Sequence, residues 1–133
     1  MTEKPLILEK LDLDFSICKL PDISDVDLSR DFTFLSKTDE EISFVCPAGL
    51  TPQNSIAVET GWNALRVDGV LDFSMVGLLA RISGILAKEN ISSFVISTYN
   101  TDYFFLKFHD FERSVSLLTK NGYTINQQKN SLK

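Results

Sequence analysis

Histidine occurs once and cysteine twice in this 133-residue chain. That is too few nitrogen and sulfur ligands for a zinc site built from three or four of them, so neither a metal nor any other cofactor is expected. Basic residues are outnumbered, 13 Lys and Arg against 18 Asp and Glu for a net charge of -5, and they stand as isolated singles. Such a balance lacks the phosphate-neutralising surface on which nucleic-acid binding rests. Long apolar runs are missing too. The most apolar region, Phe73 to Ala87, is broken by Arg81 and falls short of the roughly 20 residues of a membrane-spanning helix. The N-terminus, MTEKPLILEKLDLDF, carries Glu3, Glu9, Asp12 and Asp14 where an export signal needs a basic start and an uninterrupted apolar stretch. A cytoplasmic protein without membrane contact is expected. Also missing is any legible nucleophile with a paired base, or any phosphate-cradling glycine loop. Ser74 has no histidine to pair with, and Asp110 and Glu112 fall at a helix start, where caps belong. The chain reads as a non-enzyme.

What is present is an ordinary globular composition, 44% hydrophobic and 23% charged, enough for one domain or two very small ones. In the first half, "LDFSICKLP" has the apolar and β-branched content of a strand ended by Pro21, and Asp22 to Arg30 is a loop or one short helix. "FTFLSKTDEEISFVCP" predicts a hairpin around Lys37 to Glu41, "AGLTPQN" a loop or a single turn, and "SIAVE" a short fourth strand.

The second half starts at Gly61 with "WNALRVDG", whose alternation predicts a strand closed by a turn at Asp68 and Gly69. The strongest helix follows. Met75, Leu78, Leu79, Ile82, Ile85 and Leu86 share one broad face at about 100° per residue, with Arg81 and Lys88 well away from it. Ser74 is its expected N-cap, with Phe73 packing on Leu78 as a hydrophobic staple, and Asn90 its left-handed close. "SSFVIST" and "YFFLKF" flank the tight turn "YNTD" as a hairpin. A second helix, capped by Asp110, with Phe111, Val115, Leu117 and Leu118 on its apolar side, stops at Asn121-Gly122 before a last strand, "YTIN". His109 reads as a strand-end or capping residue.

Strand, helix, strand, strand, helix, strand is the α+β, ferredoxin-like βαββαβ order: one antiparallel sheet with helices on one face. The first half has the same order with shortened helices, so two tandem copies are expected: 1–60, 61–127, and a polar tail 128–133. Units of about 60 residues are marginal alone and should fold together. With strand order 4-1-3-2 in each, Cys18 and Cys46 are expected at opposite ends of neighbouring antiparallel strands, which excludes a disulfide between them. They read as packed free thiols.

The segments "LDFSMVGLLARISGILAKENIS" and "FVISTYNTDYFFL", with "FVCPAGL" and "GWNALRVDG", resemble the ACT domain in its tandem form, related to the regulatory domains of aspartate kinase. The resemblance covers nearly the whole chain and is similar to small stand-alone two-ACT proteins. The first half matches as a degenerate partner without a "VG" helix entry. Such a resemblance implies a regulatory protein that binds an amino acid where two ACT units meet, forms a homodimer, and passes the signal to a partner protein. Carried over, it implies that Ser74, Met75, Val76 and Gly77 offer backbone N–H groups to the ligand carboxylate. It also implies that Asp102 faces the ammonium group, with Tyr99, Asn100 and Thr101 lining the pocket.

The physics of a helix start fits independently, since its first N–H groups lack partners and carry the positive end of the dipole. The alternatives are that Gly77 serves only a close approach to the sheet and that Asp102 is an ordinary turn residue. Mid-helix Gly84 costs about 1 kcal/mol against Ala, and with Gly77, Ala80 and Ala87 it makes a small-residue stripe suited to close approach of another helix, within the chain or, with Ala80, Gly84 and Ala87 as the interface, across a dimer. A ligand-free assembly module is the rival reading.

Overall fold

The computed structural model describes residues 6–69 and 77–128. In chain order it holds β1 (Ile7–Lys10), β2 (Phe15–Leu20), β3 (Phe34–Lys37), β4 (Ile42–Pro47), a 3₁₀ turn (Ala48–Leu50) and β5 (Ala57–Val67). Then come α1 (Leu78–Lys88), β6 (Ser93–Ser97), β7 (Asp102–Lys107), α2 (Phe108–Lys120) and β8 (Thr124–Gln127). The chain divides into two units, Leu13–Trp62 and Met1–Asp12 with Asn63–Lys133. The block expected at 1–60 therefore gives its first strand to the other unit, and β5 crosses the boundary.

In the Leu13–Trp62 unit every pairing is antiparallel, in the order β3-β4-β2-β5. With Ala57–Trp62 as fourth strand, that is the expected 4-1-3-2 order. The helices of the ferredoxin-like plan are reduced. Residues 21–33 contain neither helix nor strand, because Asp22 and Asp27 accept from the backbone N–H and hydroxyl of Ser24 and Ser29, turns that compete with helical hydrogen bonds. Hydrogen bonding from Ser24 and Ser29 holds both carboxyls below the usual range. Gly61 takes φ 83, where the pairing of β2 with β5 slips its register, a conformation open to glycine.

The expected placing of the cysteines is corrected by the register. Ser16 pairs with Cys46 and Cys18 with Phe44. Cross-strand partners share a face, so the two thiols sit one rung apart on the same face, within the core of Cys18, Leu20, Phe44 and Cys46. Both are free.

In the other unit the order is β6-β7-β5-β1-β8. A four-stranded sheet was expected; β1 inserts between β5, to which it is antiparallel, and β8, to which it is parallel. Side chains of one face, among them Leu8, Leu65, Val67, Phe104 and Leu106, pack on Leu78, Ile82 and Leu86 of α1 and on Phe111 and Leu118 of α2. Leu79, expected on the apolar face of α1, is instead exposed. α1 closes as a Schellman motif. Asn90, at φ 62, donates to Ala87 O and Ile91 to Leu86 O, satisfying carbonyls of the last turn. α2 closes the same way at Gly122, φ 96. Asp110 does not cap α2, whose N-cap is Lys107; it lies in the first turn and pairs with Arg113 at 3.1 Å.

Candidate ligand-binding site

β5 and β6 are joined through α1, and β7 runs back beside both strands. The C-terminal end of β5, the start of α1 and the β6–β7 turn therefore occupy one end of this unit's sheet. The turn is fixed locally. Thr98 N–H donates to Thr101 O at 2.8 Å, and Thr101 Oγ1 donates to Val67 O at 2.9 Å, so the hairpin tip is stitched to the end of β5. Ser97 and Asp102 form the last rung.

The expected N-cap of α1 is corrected. The helix begins at Leu78, and Gly77 is the N-cap, in the left-handed conformation (φ 85, ψ 0) with no side-chain cap. Glycine adopts that conformation without the steric cost an L side chain meets. Ser74, Met75, Val76 and the staple residue Phe73 lie outside the described residues. The donors that open the helix are consequently the N–H groups of Leu78, Leu79 and Ala80, whose partners would be residues before the helix. Arg81 N–H already donates to Gly77 O at 2.9 Å. A Cβ added at Gly77 would lie 3.7 Å from Arg81 Nη1, so the guanidinium folds back to the helix start. A cation beside the positive end of a helix dipole is an unfavourable pairing that an anion relieves.

Of the other expected ligand residues, Tyr99 and Asn100 are exposed, Tyr99 at 88%. Thr101 is buried, its hydroxyl engaged with Val67. Asp102 is half-buried and, among the described residues, forms no salt bridge. Arg81 is directed to Gly77, and Arg66 to Glu9 at 2.9 Å. Arg66 also donates to Tyr103 Oη at 3.4 Å and lies over its ring. Burial works against the Arg66 charge, but hydrogen bonds with Tyr103 and Glu9 outweigh it and raise its pKa. This network went unread in the sequence, because nothing local joins Glu9 to residues 66 and 103. Ala80, Gly84 and Ala87 are exposed on α1, and a Cβ at Gly84 would meet nothing within 4 Å.

Residues 57–120, from β5 to the end of α2, match the model of the ACT domain. This part of the chain is an ACT domain. The match covers the strands, the α1 entry and the hairpin that form the end of the sheet described above. Among solved structures, an Agobacterium tumefaciens protein is 24% identical with a TM-score of 0.83, over 98% of this chain and 99% of that one. Aspartate kinase from Synechocystis is 16% identical with a TM-score of 0.65, over 98% of this chain and 28% of that one. The ligand-free regulatory subunit of aspartate kinase from Thermus thermophilus is 9% identical with a TM-score of 0.59, over 88% and 96%. At these identities the likeness is one of fold. No curated protein is detectably similar in sequence. Among the described residues, no helix is long and apolar enough to cross a membrane, and no group of three or more His, Cys, Asp or Glu could hold a metal ion.

Proposed function

We propose that this ACT-domain protein is a regulatory module that binds a free amino acid and, through the bound state, alters its hold on a partner protein. The observation that carries the reading is the charge arrangement at one end of the ACT sheet. The uncapped start of α1, with Arg81 turned back onto it, supplies positive potential for a carboxylate. Asp102, without an ion pair among the described residues, supplies a carboxylate for an ammonium group. In this reading the N–H groups after Gly77 take over the role expected of Ser74, Met75, Val76 and Gly77, with Tyr99 and Asn100 at the rim. The similarity to an aspartate kinase regulatory subunit supports a regulatory, non-catalytic role.

The exposed stripe of Ala80, Gly84 and Ala87 is the proposed surface for a second copy, which would complete the site from the other side. Amide chemical-shift mapping tests the proposal with each of the twenty amino acids as probe. Shifts confined to Gly77 to Arg81 and Tyr99 to Asp102 are expected from one or a few of them. Shifts elsewhere, or none from any probe, would refute the site and favour the ligand-free assembly module.

A further inference from the structure

Asn121 and Gly122 close α2 and lead into β8, and of the asparagines in this chain Asn121 alone precedes a glycine. Both residues are exposed. Their polar groups are tied into the last turn. Asn121 Nδ2 donates to Leu117 O at 2.9 Å, Asn121 N–H donates to Leu117 O and Leu118 O at 3.2 and 3.0 Å, and Gly122 N–H donates to Thr119 O at 3.1 Å. Little braces the turn from beyond. β8 is a four-residue strand at the edge of the sheet, beside β1, with Thr124, Asn126 and Gln127 exposed. The close of α2 therefore belongs to the low-stability end of the fold, where terminal turns open without global unfolding.

We propose that Asn121 is a site of spontaneous deamidation, gated by opening of the last turn of α2. Gly122 N attacks Asn121 Cγ, the side-chain nitrogen leaves as ammonia carrying the proton of the Gly122 N–H, and a succinimide ring closes. Water then opens the ring. Hydrolysis at Cγ restores the chain with an aspartate, and hydrolysis at the main-chain carbonyl leaves the chain linked through Cγ, an isoaspartate. The sum is loss of ammonia and gain of water, with nothing oxidised or reduced. Gly122 permits the attack because it has no Cβ to crowd the nitrogen. The closed turn opposes it. Ring closure needs Gly122 N on the same side of the Asn121 Cα–C bond as Cβ, whereas ψ 15 turns it away, and its N–H is held by Thr119 O. Either product loosens the turn. A carboxylate cannot donate to Leu117 O and stands at the negative end of the α2 dipole. The extra main-chain carbon of isoaspartate also breaks the spacing by which Gly122 and Tyr123 reach Thr119 O and Leu118 O.

The test holds the whole protein, without denaturant, at mildly alkaline pH and physiological temperature beside a synthetic peptide of residues 117–126, and follows both by peptide mapping with mass spectrometry. Asn121 is expected to convert before any other asparagine, giving two chromatographic species of equal mass, each heavier than the parent by the difference between OH and NH2. The folded chain should convert about tenfold more slowly than the peptide, a penalty far smaller than the global unfolding constant measured in urea on the same protein. Converted protein, separated by its added negative charge, should unfold at lower urea concentration, as should Asn121→Asp. Incubation runs until Asn121 is half converted or the time set by global unfolding has passed. Another asparagine converting first, a penalty as large as the global unfolding constant, or converted protein as stable as the parent would overturn the proposal. Isomerisation at Asp68, which precedes Gly69, leaves the mass unchanged and maps to a different peptide.

Discussion

Gly77 and Gly84 stand on one helix, yet alanine should change stability in opposite directions at the two positions. At Gly84 the backbone is helical and an added Cβ meets nothing within 4 Å. The substitution therefore gains helix propensity without strain, about 0.5–1 kcal/mol. At Gly77 the added Cβ would also find only ordinary contact, 3.7 Å from Arg81 Nη1. The backbone there is left-handed, at φ 85, which costs an L residue about 1–2 kcal/mol. The restricted unfolded chain gives back about 0.4–1 kcal/mol of that, leaving Gly77→Ala destabilised by roughly 1 kcal/mol. The two variants should differ by about 2 kcal/mol in urea unfolding at low protein concentration, with melting points displaced by about 3–5 °C per kcal/mol. A stability change of the same sign at both positions would refute the assignment of Gly77 as a left-handed N-cap. If the Ala80, Gly84, Ala87 stripe meets a second copy, the gain from Gly84→Ala should shrink as protein concentration rises, since the new methyl groups hold the helices apart.

Three further outcomes are expected. Asn90→Ala, forcing alanine into φ 62 at the Schellman close, should cost about 1 kcal/mol, while Asn90→Gly should be neutral or better; urea titration distinguishes them. Glu9→Ala leaves Arg66 without its carboxylate. With side chains 25% and 10% exposed, the loss is discounted from the 3–5 kcal/mol of a fully buried pair to about 1–3 kcal/mol, and the double change Glu9→Met with Arg66→Met should recover much of it. Cys46 keeps its proton up to about pH 12 in the folded state, against an ordinary value of 9.0. Its stabilising contribution is thus whole below pH 9 and declines as pH rises from there toward 12. Unfolding measured across that window should show a shallower decline in Cys46→Ala than in the wild type.

Much of the fold was legible because local signals carry it. The apolar and β-branched content of "FSICKL" and "ISFVCP", the helical face of Leu78, Ile82 and Leu86, and the stops at Asn90 and Gly122 are all decided within a few residues. β1 was not legible. It is only Ile7–Lys10, half charged, and its partners sit at Val67 and Ile125, so only tertiary pairing makes it a strand. The same distance hid the Glu9, Arg66, Tyr103 network. The helix start was misplaced because Ser74 has cap chemistry, whereas Gly77 caps by backbone conformation, which no side chain advertises. The cysteines were misplaced because their relation depends on register: antiparallel pairing of Ser16 with Cys46 brings together two residues that strand order alone sets apart. At the candidate site, the turning of Arg81 toward Gly77 and of Arg66 toward Glu9 was not readable.

The central claim is that this ACT-domain protein binds an amino acid. It is tested most directly by a thermal-shift screen against the twenty amino acids at a few millimolar, with Asp102→Ala in parallel. A ligand at about 100 times its dissociation constant adds roughly 2.7 kcal/mol, which moves the midpoint by several degrees. The account predicts such a shift from one or a few chemically related amino acids and its loss in Asp102→Ala. No shift from any of the twenty, or a shift that Asp102→Ala leaves intact, would contradict it.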